Sequence, residues 1–275
     1  SKEATILINN WFMMYFLSVV LIGTTYPIFL EVITNEKISV GFPFYHKLLI
    51  PFLIPFLIFM AIGLKLKWIK HHYKKIRTQQ FGLFILSFLI AYLIIEKTSV
   101  ENLFTTILIA AAFYLFFITI GEFFKKNYIF SQNISHFGFS LLILSILFNS
   151  LFSDEFSANM KIGEELKFNN GLIKFNKIDT FDEKNYKSII ANFDIVDIKD
   201  SITLNPEIRI YNQPNILTSE ADIKSSFFSD KFLVINLLKG DNLFNVRYQN
   251  KPFMIWIWIS VLLILFGGLI GLARK

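Results

Sequence analysis

The 275 residues are 54% hydrophobic and 17% charged, with a mean hydropathy of +0.52, a balance that excludes a water-soluble globular protein and requires a lipid environment. With no cysteine, the chain has no thiol redox chemistry, disulfide framework or thiolate metal site of its own. The formal charge of +6 is accounted for by where the lysines fall along the chain and requires neither nucleic acid nor an acidic substrate.

Six apolar stretches read as membrane-spanning helices: 6–33, 46–65, 81–95, 103–124, 134–152 and 253–273. The third is the shortest and needs Glu96 and Lys97 at the interface. Pro51 and Pro55 fall inside the second, where a kink serves packing. The segment 65–80 carries Lys65, Lys67, Lys70, Lys74, Lys75 and Arg77 without an acid, so it faces the cytoplasm, or the matrix of a mitochondrion. Counting outward from it, Lys125, Lys126 and both termini lie inside, and the acid-containing segments 31–37 and 97–101 lie outside. His71 and His72 belong to the basic segment and act as topology anchors. Trp256 and Trp258 stand at the outer start of the last span, where an aromatic belt is expected.

Between the fifth and sixth spans the composition changes to alternating polar and β-branched or aromatic residues. Leu166-Lys167-Phe168 and Ile173-Lys174-Phe175 flank Asn169-Asn170-Gly171, a hairpin-turn signal, and period-two runs follow at 189–198, 208–211, 232–238 and 244–248. These predict six or seven antiparallel strands in a small sandwich or barrel on the outer face. The fold class is thus a mostly α membrane protein with one inserted β domain: 1–153 a five-helix region, 154–251 the β domain, 252–275 the last helix.

No phosphate-cradling glycine loop, nucleophile elbow or zinc-protease helix occurs. The residue that stands out is His136, a lone imidazole at the mouth of the fifth apolar run. Ionisable groups at membrane depth are costly and mark function, and neutral imidazole is the commonest protein ligand for a metal or haem iron. The alternative is an interfacial histidine hydrogen-bonded to a neighbouring carbonyl. Gly138, Ser135 and Ser140 keep its surroundings small, so that a macrocycle or another helix can approach.

Ser1-Lys2-Glu3-Ala4, Leu7-Ile8-Asn9-Asn10, Gly23-Thr24-Thr25-Tyr26-Pro27, Ile38-Ser39-Val40-Gly41 with Pro43, and Ser135-His136-Phe137-Gly138 follow one another in this order. Tyr248-Gln249-Asn250-Lys251-Pro252-Phe253, Trp256 and Gly267-Gly268 complete the set. In this ordered set the chain resembles the C-terminal half of the CcmF (CycK) family of cytochrome c biogenesis proteins. The resemblance implies a bacterial inner-membrane, or mitochondrial inner-membrane, haem lyase component that attaches haem to apocytochrome c by thioether bonds. It also implies that His136 is one of two axial ligands of an intramembrane haem b. The partners it implies are CcmH, the haem chaperone CcmE, apocytochrome c and the lipid bilayer.

His46, where the family more often has asparagine, lies one membrane thickness from His136, so the second ligand is expected from the N-terminal half of the same protein or from a split subunit. The family's tryptophan-rich WWD segment and its two outer histidines have no counterpart here. The chain is therefore expected to be a C-terminal piece or a natural split subunit, inactive alone. Two rivals from other classes are a secondary transporter and a structural scaffold presenting the β domain. The spans hold no paired midplane acids and no repeat of the two halves that would favour the transporter.

Overall fold

The computed structural model describes residues 1–66, 76–98, 102–125, 129–169, 171–197, 201–238 and 243–273. Among the described residues there are six helices: α1 (Lys2–Thr34), α2 (Phe42–Lys65), α3 (Ile76–Glu96), α4 (Leu103–Phe123), α5 (Phe130–Phe152) and α6 (Met254–Ala273). All six are long and apolar enough to cross a membrane. Among the described residues ten strands lie between α5 and α6. The chain divides into two compact units, one of residues 1–147 with 259–275, the other of residues 148–258.

In the helical unit, α4 forms the centre. Leu108, Ile109, Ala112, Leu115 and Ile118 are buried along it, and α2 and α3 pack against it. The neighbouring helices turn large apolar side chains outward: Leu7, Met13, Leu17 and Phe29 on α1, Phe81 and Leu89 on α3, and Leu262, Leu265 and Phe266 on α6 are exposed. A surface of this kind is stable against acyl chains and would aggregate in water. Side-chain polar groups also tie the helices to one another: the Tyr15 hydroxyl of α1 donates to the Leu48 carbonyl of α2 at 3.0 Å, and Thr119 Oγ1 and Ser140 Oγ lie 3.0 Å apart, joining α4 to α5.

Helix α5 begins four residues before the apolar run that announced it. Ser131 and Asn133 in the added turn are buried, because they face other helices and not lipid. Pro43 in the first turn of α2 costs no backbone bond there and moves that helix's start earlier in the same way. At the crossing of α5 and α6 the backbones touch through glycine. A Cβ on Gly138 would lie 2.9 Å from Leu263 Cβ and 3.0 Å from both Ile264 N and Ser260 O, and one on Gly267 would run into Ser135. Gly138→Leu is expected to force α5 and α6 apart and cost about 1–3 kcal/mol. A thermal midpoint in detergent equal to that of the unaltered protein would show that the contact is not made.

The β unit holds two antiparallel sheets. The first has the order β1 (Asp154–Met160), β10 (Phe244–Pro252), β9 (Ser229–Leu237), β8 (Asp222–Ser225). The second runs β2 (Glu165–Phe168), β3 (Gly171–Asp182), β4 (Tyr186–Asp197), β6 (Glu207–Tyr211), β7 (Leu217–Glu220), with β5 (Ser201–Leu204) also paired to β4. Alternate residues face inward, and Met160, Ile173, Phe175, Phe193, Ile195, Leu233, Ile235 and Val246 form one core, with the Phe175 and Phe193 rings stacked at 4.3 Å. Ten strands replace the six or seven expected, because β5, β7 and β8 are four residues long and each offers too few inward positions to show a period of two. The hairpin read at 169–171 is present: Phe168 pairs with Gly171, closing β2 onto β3. Gly240-Asp241-Asn242, which joins the alternating runs 232–238 and 244–248, lies outside the described residues.

Candidate functional site

His136 sits in the second turn of α5, on a stretch where Ser131, Gln132, Asn133 and Ser135 make the helix polar before it becomes apolar. Its Nδ1 is 2.7 Å from the Gln132 carbonyl oxygen one turn back. A carbonyl only accepts, so Nδ1 carries the proton, and in the neutral ring Nε2 is left with its lone pair. The hydrogen bond of an ordinary interfacial histidine is thus made, and it is also the bond that sets the tautomer and ring orientation of a metal-ligating imidazole.

The imidazole borders a cavity of about 250 Å³. Helix α1 lines it with Lys2, Thr5, Ile6 and Asn9, and α2 with Met60, Gly63 and Leu64. Asn9 Oδ1 is buried without a hydrogen-bond partner among the described residues, an acceptor left over on the wall of the cavity. At Gly63 an added Cβ would come within 3.0 Å of Thr5 Oγ1, so glycine allows α1 and α2 to close in at this point. The cavity falls below the roughly 300 Å³ at which small-ligand sites begin, so these three helices can hold the edge of a macrocycle but not the whole of it.

Among the described residues no group of three His, Asp or Glu side chains could hold a metal ion. A metal at His136 must therefore bring most of its own ligands, as a porphyrin does. His46 is exposed near the start of α2, with its ring 6.3 Å from Phe42. Seventeen residues of that helix separate it from Gly63, or about 26 Å of rise. His71 and His72 lie outside the described residues. The residues present thus fit one side of a two-histidine iron site.

Two features here were not read from the sequence. The first is the cavity wall, since Thr5, Asn9 and Gly63 come from helices distant in sequence from His136. The second is an ion cluster: Glu122, 9% exposed at the end of α4, lies 2.8 Å from Lys65 Nζ of α2 and 2.6 Å from Lys125 Nζ. Lys65 and Lys125 had been read only as topology signals. Opposite charges at the ends of neighbouring spans were the available clue. Trp256 is likewise more than a belt residue: its Nε1 donates to the Phe227 carbonyl at 3.1 Å, while Trp258 is exposed.

Comparison with known proteins gives concordant results. Residues 151–252 match the family described as the CcmF C-terminal beta-sandwich. The cytochrome c-type biogenesis protein CcmF of Haemophilus influenzae is 27% identical across 98% of this chain and 44% of its own length. That of Escherichia coli is 26% identical across 99% of this chain and 44% of its own. The solved structure of a cytochrome c haem lyase CcmF superposes with a TM-score of 0.76 at 18% identity, covering 98% of this chain and 45% of that one. The chain spans less than half the length of these relatives. The likeness runs through both the helices and the β unit: along its length the chain is similar to the C-terminal part of CcmF cytochrome c-type biogenesis proteins, and its residues 151–252 match that family's C-terminal beta-sandwich.

Proposed function

We propose that this chain is the part of a cytochrome c haem lyase that holds one side of an intramembrane haem b, with His136 as an axial ligand of the iron. The observation that carries the reading is the Nδ1 bond to the Gln132 carbonyl at 2.7 Å, which leaves Nε2 available beside a cavity. When bound, the haem supplies one-electron chemistry for the haem that is to be attached to apocytochrome c. The protein's own contribution is orientation and exclusion: Gln132 fixes the imidazole plane, Met60 and Leu64 keep water from its face, and Asn9 offers an acceptor at the rim. The opposite ligand comes from a helix beyond these 275 residues, on the same polypeptide or on a separate subunit.

In this reading the protein is an inner-membrane protein with the basic segment 65–80 and both termini in the cytoplasm and the β unit outside. Thioether formation belongs to the whole assembly, with CcmH and the haem chaperone CcmE as its partners. The β unit seats apocytochrome c or its chaperones beside the haem-handling segment. Its support is a mixed polar surface on a well-packed core. Joining residue 153 to residue 253 should abolish co-purification of apocytochrome c with the assembled complex; undiminished recovery would remove the docking role. The haem role is tested at His136, whose replacement should remove the haem b spectrum.

A further inference from the structure

The β unit has a cavity of its own, about 310 Å³, built where β1 and β2 end their respective sheets. Register makes its wall. Asp154 pairs with Asn250 and Phe156 with Tyr248 across β1 and β10, and all four share the inward parity of the core residues Val246 and Phe244. The Phe168 ring of β2 closes the other side, 5.8 Å from Phe156 and 5.3 Å from Tyr248.

This wall carries acceptors that none of the described residues uses. Tyr248 is only 3% exposed, and its hydroxyl has no hydrogen-bond partner among the described residues. Asn250 Oδ1 is buried and likewise unpaired. Of the three carboxylates at the cavity, Glu155 is paired with Arg247 and Asp197 lies 3.8 Å from Lys231, whereas Asp154 makes no ion pair among the described residues. Lys167 is the one cation in the lining. Burial first, then the charges of Asp197 and Asp154, push the Tyr248 hydroxyl up to about 12, so it stays neutral at any physiological pH. Neutral acceptors, one uncompensated carboxylate and aromatic faces select a group that is positive and rich in N–H donors. Beside them, β1 has its outer backbone edge unpaired in the sheet, the arrangement onto which an extended peptide adds as a further strand.

We infer that the cavity between β1 and β2 receives a lysine or arginine side chain of an extended polypeptide laid along β1, with Asp154, Tyr248 and Asn250 holding its charged end. The inference narrows the docking role of the β unit to a chemical class and rests on that role, independently of the haem ligand. A side chain on a strand added to β1 alternates in and out in step with β1 itself, so every second residue of the guest faces the mouth.

The test uses the whole chain in detergent and a fluorescein-labelled Thr-Val-Lys-Val-Thr peptide, with Thr-Val-Gln-Val-Thr as its counterpart, read by fluorescence anisotropy. The lysine peptide should bind about tenfold more tightly, and Asp154→Asn or Tyr248→Phe should each bring it close to the glutamine peptide's level. Asp179→Asn, a surface carboxylate outside the cavity lining, should leave the difference intact. Y248F removes one oxygen from a buried ring, and its thermal midpoint shows whether the unit remains folded. Equal binding of the two peptides, or binding indifferent to both cavity variants, would overturn the cavity while leaving a docking role in place. If neither peptide binds, both fall. Displacement by n-butylammonium at the concentration at which the peptide itself binds would overturn the strand-addition part.

Discussion

Replacing His136 with alanine in the assembled protein is expected to abolish the haem b absorption bands or collapse them to a five-coordinate spectrum. The expectation follows from the composition of the site. Asp and Glu side chains do not gather beside it, and the other histidine within the described residues is most of a helix length away. Among the described residues no other histidine lines the cavity. The stronger form of the test is His136→Gly with added imidazole: free imidazole in the vacated space should restore a six-coordinate spectrum, because the cavity walls of α1 and α2 are untouched. An unchanged spectrum in His136→Ala would place the ligand elsewhere. Gln132 acts only through its backbone carbonyl, so Gln132→Ala should leave the spectrum nearly unaltered while His136→Ala does not.

The second large effect is expected at Glu122. Its carboxylate holds two ammonium groups, and Lys65 itself is largely buried, with 15% of its side chain exposed. Glu122→Ala removes the partner and leaves the Lys65 charge in a poorly solvated place. Breaking a buried pair from one side costs about 3–5 kcal/mol, more than most single changes. The double variant E122M/K65M should recover much of the loss, since no charge is then stranded. A thermal midpoint unmoved by Glu122→Ala would mean that water reaches Lys65 freely. The consequence extends to His136: Lys65 lies at the same end of α2 on which Gly63 and Leu64 line the cavity beside the imidazole. A small shift of the haem bands should therefore accompany the stability change in Glu122→Ala, well short of that in His136→Ala.

Of the candidate site, one residue was legible in the sequence and no more. His136 stood out because a polar ring in an apolar run is conspicuous whatever surrounds it. Thr5, Asn9 and Gly63 are inconspicuous in sequence, and their role exists only because α1, α2 and α5 meet at one end of their unit. The β unit shows the same division. Its long strands β3, β4, β9 and β10 announced themselves through alternation, whereas the four-residue strands did not. The cavity beside Tyr248 needs the register that sets Asp154 opposite Asn250, and no local pattern specifies that pairing.

Hydropathy and charge placement by themselves determined six helices able to cross a membrane and an inserted β unit. Those properties depend on length and composition, which a lipid environment reads directly. The tertiary structure decided which groups share a wall: the imidazole with the Asn9 acceptor, Glu122 between two lysines, and the buried Tyr248 beside Asp154. Each of these is a contact between residues far apart in the chain. Such a contact is set by helix packing and strand register, which no local pattern in the sequence records.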